Sequence, residues 1–280
     1  MTITLTITVP TPGHDRLVAP VGLATPHLSP ADFAVRGGRL ALTAEAQTGQ
    51  WVAVIRPDGG PVRLTTRFHT GGLPYPDSLF AHRPNRFTRA AGALAQGAQD
   101  VAARAGGGAA GLQAIVSDVC ARFTYGHPEK RFYEGAEEMP QLCGLTEGSC
   151  VDINAYLIAS LRAAGYEAGY VTGYFFPAEK RSHCDDMHCW VVTRHGGQVQ
   201  EWDIAHHLKM GLRDIRPGLN PKPGVRLPMF HSMGLDLPEL GVSGLKLLGQ
   251  PMVLGENGPA WPEVRIALEG YEDLEAQGGR

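Results

Sequence analysis

No stretch of the 280-residue chain approaches the roughly 20 consecutive apolar residues that a membrane-crossing helix requires. An excess of one charge is missing too: 25 Lys and Arg against 28 Asp and Glu leave a net charge of -3, with no field to gather nucleic acid or acidic lipid. Neither a nucleic acid nor a membrane is therefore expected as a partner. There is no Gly-x-Gly-x-x-Gly following a strand and no phosphate-cradling Gly-Lys-Ser/Thr loop, so no nucleotide or other cofactor is expected. No Lys or Arg precedes Arg16; the charged start of a secretion signal is absent, and a cytoplasmic setting is expected. Cysteines are few and odd in number, Cys120, Cys143, Cys150, Cys184 and Cys189, which argues against a disulfide framework and for free thiols. Glycine and proline are plentiful, at 36 and 21 residues, and imply short elements joined by many turns.

The first nine residues alternate Thr with Ile3, Leu5, Ile7 and Val9, the period of a half-buried strand. Extended runs follow at 39–43, 51–56 and 62–68, the last two joined by the turn-like Pro57-Asp58-Gly59-Gly60 as a hairpin would be. Residues 1–70 are thus expected to form a small all-β domain, and the proline-rich segment 71–87 a linker. An alanine-rich helix is predicted from Thr88 to Arg104, stopped by Gly106-Gly107-Gly108, and a second from Leu112 to Phe123 with Cys120 in its apolar stripe. A long loop spans 126–148. Residues 88–235 form the expected core and 236–280 a C-terminal extension. Within that extension 251–268 holds short strands that return to a sheet or cover a groove, and the last dozen residues, with Gly278-Gly279, are expected to fray.

Ser149 is a good N-cap, Asp152 stands where a capping box places its acid, and Ile153, Leu157 and Leu161 recur at helical spacing until Gly165. Cys150 therefore opens a helix. A free thiol with a pKa near 8.5 is only about 3% ionised at pH 7, but the positive end of a helix favours thiolate. The N–H groups there can also receive an oxyanion. Downstream, His188 to Arg194 and Gln198 to Ile204 read as the arms of a β-hairpin. A His195-Gly196 loop would set His188 directly opposite Asp203. A Gly196-Gly197 loop would make them diagonal neighbours on one face. An imidazole held by a carboxylate and facing a thiol is the arrangement that activates a cysteine nucleophile and later protonates a leaving amine. Cys150, His188 and Asp203 are the candidates for those roles.

Gly148-Ser149-Cys150-Val151-Asp152, Leu161-Arg162-Ala163-Ala164-Gly165, Val171-Thr172-Gly173-Tyr174, His188-Cys189-Trp190-Val191 and Trp202-Asp203 resemble, in order and spacing, the motifs of the bacterial transglutaminase-like cysteine enzymes. The resemblance covers about residues 72–210. It implies a papain-like α+β core, a nucleophile helix packed on an antiparallel sheet, with Cys150 as nucleophile, His188 as base and acid, and Asp203 as orienting group. It further implies a cysteine peptidase, amidase or transglutaminase acting on peptide or protein. Tyr125 and Trp190 are candidates for the oxyanion site or the substrate groove. The sequence departs from the family at Gln141-Leu142-Cys143-Gly144 and at Ile204-Ala205-His206-His207, where a turn-forming sequence is expected. Two other readings remain. Zinc could bind within His183-Cys184-Asp185-Asp186-Met187-His188-Cys189 with help from His206-His207, although the cysteine spacing is unfavourable and neighbouring strand residues face opposite ways, so no metal is expected. A catalytically silent module could use the same groove to hold a peptide.

Overall fold

A computed structural model of the chain describes residues 2–10, 15–255 and 258–276. The alternating N-terminus forms β1 (Thr2–Val9), its four aliphatic side chains buried. β2 (Arg16–Pro20), β3 (Leu28–Arg36), β4 (Gly38–Ala44), β5 (Trp51–Pro57) and β6 (Val62–Thr70) follow. The hairpin expected between β5 and β6 does not form: β5 pairs with β2 and β4, whereas β6 pairs with β1 and β3. The turn after Pro57 carries the chain from one sheet to the other. That crossing lets Ile55, Ala53 and Leu17 of one sheet bury themselves against Ile3, Leu5, Leu64 and Phe68 of the other in a shared core, which a hairpin within one sheet would not achieve.

The segment 71–87 contains a one-turn helix, α1 (Asp77–Phe80), anchored by buried Leu79 and Phe80. The alanine-rich helix α2 (Gly92–Arg104) starts later than propensity suggests, because Ala90 is drawn into a bridge with Met139. α3 (Gly108–Arg122) starts earlier: Gly106, Gly107 and Gly108 break the chain direction and helix resumes at once, with Cys120 buried on its inner face. β7 (Phe123–Tyr125) lies parallel to β8 (Thr146–Gly148), and residues 126–145 between them carry neither helix nor strand.

α4 (Cys150–Ala163) leads into β9 (Glu167–Pro177), β10 (His183–Cys184), β11 (Met187–His195), β12 (Gln198–Trp202), α5 (Ile204–Lys209) and β13 (Gly224–His231). The central sheet is antiparallel, in the order β12-β11-β9-β13. Ile153, Leu157 and Leu161 of α4 pack on Ala168, Tyr170, Cys189 and Val191 of that sheet, while Tyr174, Phe176, Val225 and Leu227 pack against the N-terminal strands. The fold is thus α+β, a helix on an antiparallel sheet with further strand sheets built from the N-terminus. Gly196 and Gly197 have φ of 58° and 78°, the left-handed pair of a two-residue hairpin turn, and they set Val191 opposite Trp202.

Beyond the core run β14 (Leu235–Leu237), β15 (Val242–Leu245), β16 (Met252–Gly255), β17 (Gly258–Ala260), β18 (Arg265–Glu269) and α6 (Tyr271–Ala276). β16 pairs with β2, and β18 pairs with β1 and β10, so residues 236–280 supply strands to both sheets begun in the first 70. Part of the stretch expected to fray is instead α6, held by buried Tyr271 and Leu274; Gly278-Gly279 lies outside the described residues. Among the described residues no helix is long and apolar enough to cross a membrane.

Candidate active site

Ser149 is extended, with φ -78° and ψ 173°, and Cys150 is the first residue of α4. The Asp152 carboxylate accepts from the Ser149 N–H at 3.0 Å and from its hydroxyl at 2.6 Å. Tyr133 donates to it at 2.5 Å, Arg131 Nε is ion-paired with it at 3.1 Å, and Lys246 stands 3.8 Å away. Burial alone would raise the Asp152 pKa, but these hydrogen bonds and the lysine outweigh it and hold the carboxyl below its ordinary value. The opening turn of α4 is therefore clamped on the polar side.

The Cys150 side chain is 7% exposed, and Cys189 and His188 are the neighbours that bear most on its sulfur. The Cys189 thiol lowers the Cys150 pKa most; burial opposes it, and the imidazolium of His188 and the charge of Lys209 bring the thiol well below its ordinary range. His188, on β11, is buried, and its Nε2 lies 2.8 Å from Asp203 Oδ2, leaving Nδ1 as the ring nitrogen available to sulfur. Burial works against its charge, yet Asp203 and Cys150 prevail and its pKa is pushed up to about 9.

Asp203 leaves β12 as the N-cap of α5. Its Oδ1 accepts the His206 main-chain N–H at 3.0 Å, so helix capping fixes the carboxylate that faces His188. The segment after Asp203, expected to be a turn, is helical for this reason. His206 Nδ1 lies 3.1 Å from Asp203 Oδ2 and 3.0 Å from Asn220 Oδ1, two acceptors that assign the proton to Nδ1. Its ring stacks on His188 at 4.0 Å with 7° between planes. Two stacked imidazoles do not both ionise readily: burial first, then the charge of His188, press the His206 pKa down, leaving the positive charge on His188. Burial opposes ionisation of Asp203 as well, but His188 and His206 hold its carboxyl well below the carboxylate range.

These groups open on a cleft of about 440 Å³ walled by Tyr125, Phe175, Met187, Lys209 and Lys222. The structure thus brings Cys150, His188 and Asp203 together, through the Gly196-Gly197 register. Tyr125 lines the cleft as well. It is placed by pairing with Gly148, its hydroxyl lies 3.1 Å from His127 Nε2, and its ring sits under the Lys209 ammonium at 4.3 Å. Burial and the nearby Cys150 raise the pKa of its hydroxyl, which stays protonated. Trp190 does not line the cleft. It is buried with Tyr75, Leu79, Val171 and Val192 on the sheet face away from α4, and the Arg226 guanidinium lies 5.0 Å from its ring.

The run 183–189 does not converge as a metal site. His183 is exposed, Cys184 pairs with β18 and burial raises its thiol pKa, and Asp185 is paired with Lys180 at 2.5 Å. Among the described residues the group whose ligand atoms lie close enough to share an ion is His188, Asp203 and His206, in which Asp203 already accepts a hydrogen bond from each histidine and the two rings stack. Sequence reasoning weighed His206 and Cys189 only as zinc ligands and as parts of the family comparison, and it missed Lys209 and Lys246 altogether. Only His206 left a readable signal, standing three residues after an Asp that ends a strand, as the residue facing an N-cap carboxylate does.

Comparison with known proteins adds the family. No curated protein matches the sequence. A Cytophaga hutchinsonii protein, described as a candidate cysteine protease, is similar in structure at 12% identity and a TM-score of 0.49, over 96% of this chain and 98% of that one. A Parabacteroides distasonis protein, described as a candidate protease, shares 12% identity at a TM-score of 0.32, over 71% of this chain and 42% of its own. The pattern of the Transglutaminase-like superfamily matches residues 95–202, from α2 through α4 to the end of β12. Residues 95–202, which carry Cys150 and His188, are a transglutaminase-like domain.

Proposed function

We propose that the protein is a thiol-dependent acyl-transfer enzyme acting on amide or peptide bonds, with hydrolysis as its outcome. Cys150 Sγ attacks the carbonyl carbon, and the first N–H groups of α4, which lack intrahelical acceptors, receive the developing oxyanion. His188 gives its proton to the departing amine and then takes one from water as the acyl-enzyme is hydrolysed. Asp203 holds the imidazole by Nε2 throughout, and His206 positions Asp203. No bound metal or organic cofactor enters any of these steps. A peptide or protein segment is the substrate for which the open cleft has room.

The observation that carries this reading is the buried chain from Asp203 through His188 to Cys150, with 2.8 Å between carboxylate and imidazole. The test is a peptide and amide library incubated with wild type and Cys150→Ala and read by mass spectrometry. Cleaved products formed by wild type alone support hydrolysis. Incorporation of a primary amine without cleavage would reassign the outcome to crosslinking. No wild-type product, together with alkylation of Cys150 no faster than that of a free thiol, would leave only a binding module.

A further inference from the structure

Cys189 makes and breaks no bond in the acyl transfer described above, although it favours the Cys150 thiolate and is held beside it. It is fully buried, while Cys150 meets the floor of the cleft. Both side chains lie in the one buried cluster between α4 and the sheet, and each thiol bears on the other's ionisation. Asn154, one turn along α4 from Cys150, donates its amide to Cys189 Sγ at 3.3 Å and to the Cys189 carbonyl at 2.9 Å. The second sulfur is thus pinned beside the first by the helix that Cys150 begins. The other three thiols are elsewhere: Cys120 on α3, Cys184 on β10, and Cys143 exposed in the loop before β8.

We propose that Cys150 and Cys189 form a reversible oxidation site, in which hydrogen peroxide entering the cleft oxidises Cys150 and Cys189 resolves it as an intramolecular disulfide that switches the nucleophile off. This rests on the reading of Cys150 as a reactive thiolate. In the first step the thiolate attacks a peroxide oxygen: an S–O bond forms, the O–O bond breaks, and the leaving hydroxide takes the His188 proton as water. Sulfur is oxidised to the sulfenic acid and the peroxide is reduced. In the second step Cys189 Sγ attacks Cys150 Sγ, the S–S bond forms, the S–O bond breaks, and the Cys189 proton leaves with the hydroxyl as a second water. The order is dictated by access. Cys189 is sealed from solvent and burial holds its proton on, so an oxidant reaches Cys150 first. A small thiol reductant restores both groups.

The test treats wild type and Cys189→Ala with equimolar hydrogen peroxide, then maps peptides without reduction. Wild type should yield the Cys150 peptide linked to the Cys189 peptide, with iodoacetamide labelling of Cys150 recovered in dithiothreitol. In Cys189→Ala, dimedone should trap a sulfenic acid that proceeds to sulfinic acid, and recovery should fall about tenfold or more, since that step is not reversed by thiols. Cys189→Ser, which keeps a partner for Asn154, serves if the alanine variant fails to fold. A wild-type Cys150 that alkylates rapidly yet reaches sulfinic acid with Cys189 still reduced overturns this proposal alone. A Cys150 inert to both reagents overturns the thiolate reading with it.

Discussion

Replacing Asp203 by asparagine isolates the charge of the proposed triad from its shape. The carboxylate is 1% exposed and accepts two hydrogen bonds, from His188 Nε2 at 2.8 Å and the His206 N–H at 3.0 Å, with His206 Nδ1 3.1 Å away. Asparagine caps a helix about as well as aspartate, so α5 keeps its start and the fold should survive. The imidazolium, however, loses a charge-assisted hydrogen bond worth about 1.5–3 kcal/mol. At about 1.4 kcal/mol per tenfold, that lowers the population of the thiolate–imidazolium pair by roughly 10- to 100-fold where the thiol is not otherwise ionised. Burial, which Asp203 and Cys150 together outweigh in the native site, then favours neutral His188. The assay is the second-order rate of iodoacetamide alkylation at pH 6, with mass spectrometry locating the label on Cys150 and circular dichroism monitoring the fold. The rate should drop by one to two orders of magnitude in Asp203→Asn. Alkylation within about twofold of wild type, in a folded variant, would mean that the carboxylate does not sustain the ion pair and that the reasoning from buried charge is wrong.

The pH profile of hydrolysis should be broad, because the Cys150 pKa is lowered and the His188 pKa is raised to about 9. The imidazolium that protonates the amine is present below that value and lost as pH rises through it, so kcat/KM should fall on the alkaline side near pH 9; a fall near the ordinary imidazole range would contradict the assignment. Leu157→Ala empties a fully buried position between α4 and the sheet and should cost about 2–5 kcal/mol in denaturant unfolding; a loss below about 1 kcal/mol would show that this contact is not central. Gly197→Ala meets no atom within 4 Å, so its cost is purely that of φ +78°, about 1–2 kcal/mol. Unchanged stability would refute the left-handed turn.

Much of the site was legible because its signals are local. Ser149 and Asp152 act on each other within one helical turn, and two adjacent glycines between strand-like runs set the hairpin register that brings His188 near Asp203. What escaped reading depends on partners distant in the chain. The alternation of residues 2–9 shows a buried face but not which sheet will cover it, and β5 and β6 part company for a core that only the folded chain reveals. β13 was hidden by the prolines that precede it and by Pro228 within it, yet Pro228 is accommodated at a register shift opposite Gly173, where a Cβ would stand 2.1 Å from the Leu227 carbonyl oxygen. Lys246, about a hundred residues beyond Asp152 in sequence, carries no mark of its place beside the capping carboxylate.

The pairing of β18 with both β1 and β10 has a consequence for when the chain acquires its chemistry. The approach to His188 through β10 is stitched to residues 265–269, and those in turn to residues 4–8. During synthesis from the N-terminus β1 can pair with β6 early, but its other edge must wait for β18, more than 250 residues further on, and such long-range closure is slow to form. The thiol and the imidazole would exist on the nascent polypeptide well before their surroundings are complete. Proteolytic removal of 265–276 should therefore blunt the reactivity of Cys150 while leaving α2, α3 and α4 intact, a vulnerability located far from the sulfur it governs.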